Sequence, residues 1–171
     1  MKHAHIIGML VEDQPGVMAK ISGMFSRRGF NIDTISVGKT NTPNVSKMVL
    51  TIIGDDRIIE QVIKQVNKLI DVLKVVEFPS DNSIITELCL VKVGINGEKA
   101  KDELLKYAEV YNVKVVDITP KSLIFRIVGE PQKIDSFIEL VKTFGIKEIS
   151  RTGVTAMARG MSDGNVNSDN K

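Results

Sequence analysis

The sequence predicts an α+β protein built as two ferredoxin-like βαββαβ units in tandem. Three observations carry that prediction. Apolar runs that suit strands alternate with stretches whose apolar residues recur every three to four positions, as on a helix. The order strand, helix, strand, strand, helix, strand then occurs twice. Between the repeats lies Pro79-Ser80-Asp81-Asn82-Ser83, a turn-forming linker by composition. The expected domains are therefore 1–79 and 83–160, with a Ser/Asp/Asn/Gly-rich stretch over 161–171 expected to be a mobile tail. Units of about 80 residues fold, but are marginal alone.

The first strand is His5-Ile6-Ile7-Gly8-Met9-Leu10-Val11, a continuous apolar run suited to a central strand buried on both faces. After Gln14-Pro15-Gly16, the residues Val17, Ile21, Met24 and Phe25 fall at i, i+4, i+7 and i+8 and form one helical stripe. Arg27-Arg28-Gly29 ends that helix, with cations near the negative end of its dipole and a glycine for a left-handed cap. Strands follow at Asn31 to Val37 and Lys47 to Ile53, joined by a polar loop from Asn41 to Asn44. Asp55 or Asp56 caps a second helix whose apolar face runs through Ile58, Ile59, Val62, Ile63, Val66, Leu69 and Ile70. Val72 to Phe78 closes the unit.

The second repeat reads Ile84 to Val93 as a strand, then a helix marked by Ala100, Leu104, Tyr107, Ala108 and Tyr111. Val113 to Ile118 and Leu123 to Val128 make a hairpin around Pro120-Lys121. Ile134, Phe137, Ile138 and Val141 mark the last helix, and a strand begins at Ile146. In a right-handed split βαβ unit the second and fourth strands lie at the sheet edges. Asn31 to Val37 carries one charge and no Pro, so it is the expected pairing edge for a second copy.

Composition removes several function classes. The chain is 43% hydrophobic with a formal charge of +2, too small and too interspersed to mark a nucleic-acid or acidic membrane surface. No stretch approaches the roughly 20 apolar residues of a membrane span, and the N-terminus lacks a signal-peptide pattern. The lone Cys89 fits a reducing, cytoplasmic setting.

The candidate site is Asp13-Gln14-Pro15-Gly16-Val17-Met18 together with Asn31 and Ile32. A strand ends and a helix begins within the first segment. The opening N–H groups of that helix lack intrahelical partners and can hold a carboxylate. Gly16 permits close approach to the backbone, and Asp13 and the Asn31 carbonyl are acceptors for an ammonium group. Such a set describes an α-amino acid. The plainer reading is that Asp13 caps the helix, Pro15-Gly16 turns the chain and Asn31 opens a strand. The residues alone leave both open.

Other motifs have plainer accounts. His3-Ala4-His5 puts two imidazoles on one strand face, as in some metal sites, but no further His or Cys is near in sequence, so no metal site is expected. Arg27-Arg28 suits a helix C-terminus, and Asp55-Asp56 a helix cap. Cys89 reads as an inert core thiol. RNA-recognition domains share this strand order but stack bases on aromatics of the first and third strands. Those strands have none in the first repeat, and Phe125 in the second has no aromatic partner. No acid–base pair, activated nucleophile or phosphate loop is visible, nor the phosphate-binding first loop of an acylphosphatase.

Glu12-Asp13-Gln14-Pro15-Gly16-Val17, on the first turn of a βαββαβ unit, resembles the effector loop of an ACT domain. Phe25-Ser26-Arg27-Arg28-Gly29-Phe30-Asn31-Ile32-Asp33 narrows the likeness to the small regulatory subunit of acetolactate synthase. Lys68 to Val75, Glu87 to Val93, Val116 to Pro120 and Arg151 to Val154 resemble that family in the same order, from about residue 3 to Gly160. The resemblance implies a non-catalytic homodimer, paired through its ACT domains. It would activate a catalytic large subunit and confer feedback inhibition by a branched-chain amino acid, usually valine. Thiamine diphosphate, Mg²⁺ and FAD would reside on that partner and no cofactor on this chain. Many members carry Asn where this chain has Asp13. Asn96-Gly97 replaces Pro15-Gly16 in the second unit, which is therefore expected to serve dimerisation or partner contact. A free-standing amino-acid sensor, such as a transcriptional co-regulator, is the alternative.

Overall fold

A computed structural model describes residues 3–160; the tail expected over 161–171 lies outside the described residues. By contact, the described chain divides into residues 3–85 with 154–160, and residues 86–153.

The first unit runs β1 (His3–Glu12), α1 (Val17–Arg27), β2 (Ile32–Lys39), β3 (Val45–Gly54), α2 (Asp56–Val66) and β4 (Val72–Glu77). Its sheet has the order β2-β3-β1-β4 with antiparallel neighbours, so β2 and β4 are the edges, as the right-handed crossover requires. Ile7, Met9 and Val11 of β1 and Met48, Leu50 and Ile52 of β3 meet Val17, Ile21, Met24 and Phe25 of α1. Ile59, Val62 and Val66 of α2 complete this core. The Asp55 side chain caps α2 by accepting from the Ile58 N–H at 2.9 Å; Asp56 is the first helical residue.

α2 ends at Val66, short of the apolar face expected to reach Ile70. Asn67 caps its C-terminus, and the chain turns through bonds from Leu69 N–H to Val66 and from Val72 N–H to Leu69. Leu69 still packs on the core, whereas Ile70 points to solvent. The helical spacing continued past a point where the backbone had already turned.

The second repeat runs β5 (Ser83–Gly94), α3 (Glu98–Val110), β6 (Lys114–Ile118), β7 (Ser122–Gly129), α4 (Pro131–Val141), a 3-10 turn at Lys142–Phe144 and β8 (Ile146–Ala158); the ends of β5 and β8 outside 86–153 fall in the first unit. Its sheet repeats the topology as β6-β7-β5-β8. Cys89, Val91, Leu104, Phe125, Phe137 and Val141 fill its core, and the Phe125 and Phe137 rings meet edge to face at 5.3 Å. Glu87, 3% exposed, receives two hydrogen bonds from the Arg151 guanidinium at 2.7 Å.

By contact, the end of the closing strand groups with the first unit. Val154 and Ala156 are buried with Val49, Val76 and Phe78 on the face of the first sheet that the helices leave open. The Ser36 hydroxyl donates to the Val154 carbonyl at 2.6 Å and the Lys47 ammonium to the Ala156 carbonyl at 2.6 Å. Gly8 is a consequence of this packing, since a Cβ there would sit 2.4 Å from the Phe78 ring. The first sheet is thus buried on both faces at its centre, as the continuous apolar run of β1 requires. No helix among the described residues is long and apolar enough to cross a membrane.

Candidate functional site

α1 begins without a side-chain cap. Gly16 takes the cap position at φ 90°, ψ −12°, a left-handed conformation natural to glycine, and no acidic residue occupies the first turn. Asp13 therefore does not cap the helix. Its N–H donates to the Asn44 carbonyl at 2.8 Å, and its side chain is exposed. The Val17 N–H reaches the Gln14 carbonyl at 3.4 Å and the Lys20 N–H the Gly16 carbonyl at 3.0 Å. The intervening amides of Met18 and Ala19 have no acceptor among the described residues. Two free donors at the positive end of a helix dipole, with no Cβ at Gly16 in front of them, are the chemistry that can receive an anion.

The rest of the segment holds this terminus in place. Val17 is buried in the core, while Gln14, Pro15 and Met18 are exposed. Lys20 forms an ion pair with the buried Asp71 at 2.7 Å, and the Glu12 N–H bonds the Asp71 carbonyl at 2.9 Å. Sequence reasoning missed this clamp, because nothing local links Lys20 to a loop 51 positions away. In the second unit, the corresponding helix α3 starts with Glu98, whose carboxylate opposes an incoming anion.

Asn31 and Ile32 lie elsewhere. Ile32 pairs with Ile52, and Ile52 with His5 near the start of β1; Glu12 pairs with Val45, at the far end of β3. The seven strand positions from His5 to Glu12, at about 3.3 Å each, put roughly 23 Å between the two levels of the sheet. One chain therefore does not bring Asn31 to Asp13 and Gly16. Asn31 is exposed beside an open edge, where Ile35 and Val37, 37% and 49% exposed, pair with the core residues Leu50 and Met48 on the helix side of the sheet. If two β2 edges pair antiparallel about a two-fold axis, the Asn31 end of one meets the Lys39 end of the other. The Lys39 end is level with the Asp13 loop, because Lys39 pairs with Ser46 and Ser46 with Val11.

Two other groups stand apart from this terminus. Burial pushes the Cys89 thiol up to about 11, so it is no nucleophile at neutral pH. A cleft on the helix-free face of the first sheet carries Lys47 and Lys74 beside Phe78 and Met157. Burial lowers the Lys47 pKa, and its ammonium lies 4.9 Å from the centre of the Phe78 ring.

Comparison with known proteins bears on both units. The profile described as "AHAS small subunit-like ACT domain" matches residues 7–74, and that of the "small subunit of acetolactate synthase" matches residues 86–160. A protein of Methanothermobacter thermautotrophicus named "probable acetolactate synthase small subunit" is 46% identical over 156 residues, covering 91% of this chain and 93% of its own. The acetolactate synthase small subunit of Aquifex aeolicus is 43% identical, covering 92% and 82%. The crystal structure of the small subunit from Thermotoga maritima superposes with a TM-score of 0.86 at 38% identity, covering 92% of this chain and 98% of that one.

Proposed function

The chain belongs to the family of acetolactate synthase small subunits, and from that premise we propose that it senses valine between two copies of its first unit and thereby controls a catalytic large subunit. The uncapped N-terminus of α1 carries this reading. The effector carboxylate takes the amides of Met18 and Ala19. Its ammonium sits between Asp13 of one chain and the Asn31 carbonyl of the second copy. The branched side chain rests on the apolar edge that Met18, Ile35 and Val37 expose. Each element alone binds weakly; pairing of the β2 edges assembles them and excludes water.

The small subunit is the regulatory component of the enzyme. Thiamine diphosphate, Mg²⁺ and FAD belong, in this proposal, to the large subunit. Valine inhibits because it binds one state of the holoenzyme more tightly than the other. A tenfold shift requires only about 1.4 kcal/mol of differential binding. The dimer contact gives that difference a structural source, since any rotation of one β2 edge against the other separates Asn31 from the loop.

Reconstitution tests the whole reading. The full chain mixed with the large subunit should raise acetolactate formation, and valine should reverse the gain. Calorimetry on the small subunit should show valine binding that weakens with Asn31→Ala. Failure of the large subunit to co-purify, with valine binding intact, would leave a free-standing sensor.

A further inference from the structure

Outside the effector terminus, the fold gathers two histidines and a carboxylate at the opposite end of the first sheet. His3 and His5 are two apart on β1 and share a face, with ring centroids 4.0 Å apart. β3 runs antiparallel beside them, and its turn into α2 delivers Asp56 over their rings. The Asp56 Oδ1 lies 3.4 Å from His3 Nε2 and 3.7 Å from His5 Nε2. One nitrogen from each ring and this oxygen all lie within 4.8 Å of one another.

His5 supplies the decisive observation. It is 8% exposed, and its Nδ1 lies 2.8 Å from Glu77 Oε1 on β4. In the neutral tautomer that gives its Nδ1–H to Glu77, the ring presents a bare lone pair at Nε2. That atom is buried without a hydrogen-bond partner and faces the Asp56 carboxylate across a gap too long for a hydrogen bond. In that tautomer two lone pairs aim at one space and repel unless a cation lies between them. Ligands about 2.0–2.1 Å from a tetrahedral zinc are roughly 3.3–3.4 Å apart, close to the spacing of Asp56 with each histidine. A carboxylate on the far nitrogen of a ligating histidine is the usual second partner of a metal site, fixing the tautomer and orienting the ring.

We propose that His3, His5 and Asp56 bind one late first-row divalent cation, of which Zn(II) is the type, with Glu77 positioning His5. The site fastens the start of β1 to the first turn of α2 and leaves a fourth position for water. Asp56 is available because Asp55 alone caps the helix.

The test uses the full chain without an affinity tag, stripped by chelator and titrated with Co(II). Visible d–d bands should saturate at one Co(II) per chain and vanish as Zn(II) displaces it. His3→Gln and Asp56→Asn, both at exposed positions, should each weaken Zn(II) binding more than tenfold; Glu77→Gln should weaken it about tenfold. His5→Gln should abolish the bands; circular dichroism checks that this buried variant remains folded. Absence of bands in the wild type overturns the proposal, as do bands unaltered by both His3→Gln and Asp56→Asn.

Discussion

A mixing experiment tests the two-copy construction of the effector site most directly. Asn31→Ala removes one hydrogen bond to the effector's ammonium, about 1.5–3 kcal/mol for a charge-assisted bond, or roughly 10- to 100-fold in affinity. Gly16→Asp acts on the other half. Glycine stands there at φ 90°, where an added Cβ touches nothing within 4 Å but the backbone is strained, by about 1–2 kcal/mol for an L-residue. Its new carboxylate also lies where the effector's is expected. Each variant alone should bind valine at least tenfold more weakly. Because roughly 23 Å of sheet separates Asn31 from Gly16 within a chain, the proposed site would draw one half from each copy. In a heterodimer of the two variants, one site combines two unaltered halves and the other combines both lesions. After equal mixing and random subunit exchange, about half the dimers are mixed, so about a quarter of all sites should recover wild-type affinity. Equilibrium dialysis with labelled valine reads that fraction directly. Recovery of no sites, with exchange verified by mass, would overturn a site built from two copies.

Three further outcomes follow from the packing. Gly8→Ala should destabilise the chain by about 1–3 kcal/mol in urea titration, because the buried Phe78 ring must move from a position 2.4 Å from the new Cβ. Arg151→Met leaves the buried Glu87 carboxylate without its bidentate partner; a loss of about 2–4 kcal/mol is expected, the lower part reflecting the partial exposure of Arg151, and adding Glu87→Leu should restore most of it. Cys89 has its pKa raised by burial to about 11. The fold therefore keeps the proton that the unfolded chain loses first, and stability is unaffected below about pH 8.5 and falls as pH rises towards 11. A difference of about two units corresponds to roughly 2–3 kcal/mol, and Cys89→Ala should remove that slope from urea titrations across the interval.

Local chemistry alone determined the order of elements, their repetition and the edge position of the second strand. Hydrophobic period and cap residues act within a few positions, so a cap for α2 at Asp55 or Asp56 could be read directly, and the structure selects Asp55. The same locality explains the misreading of Ile70, where helical spacing persisted after the backbone had turned. The candidate loop was legible as a helix start, and its asparagine as a strand start. Only the antiparallel register of β3 with both neighbours decided that these lie at opposite ends of the sheet. Only the return of Val154 to Ala158 decided what covers the helix-free face. His3-Ala4-His5 and Asp55-Asp56 looked unrelated along the chain, 51 positions separating His5 from Asp56. The β1–β3 pairing closes that distance to 3.7 Å. Such meetings depend on the register of non-local pairs, which no short window of sequence encodes.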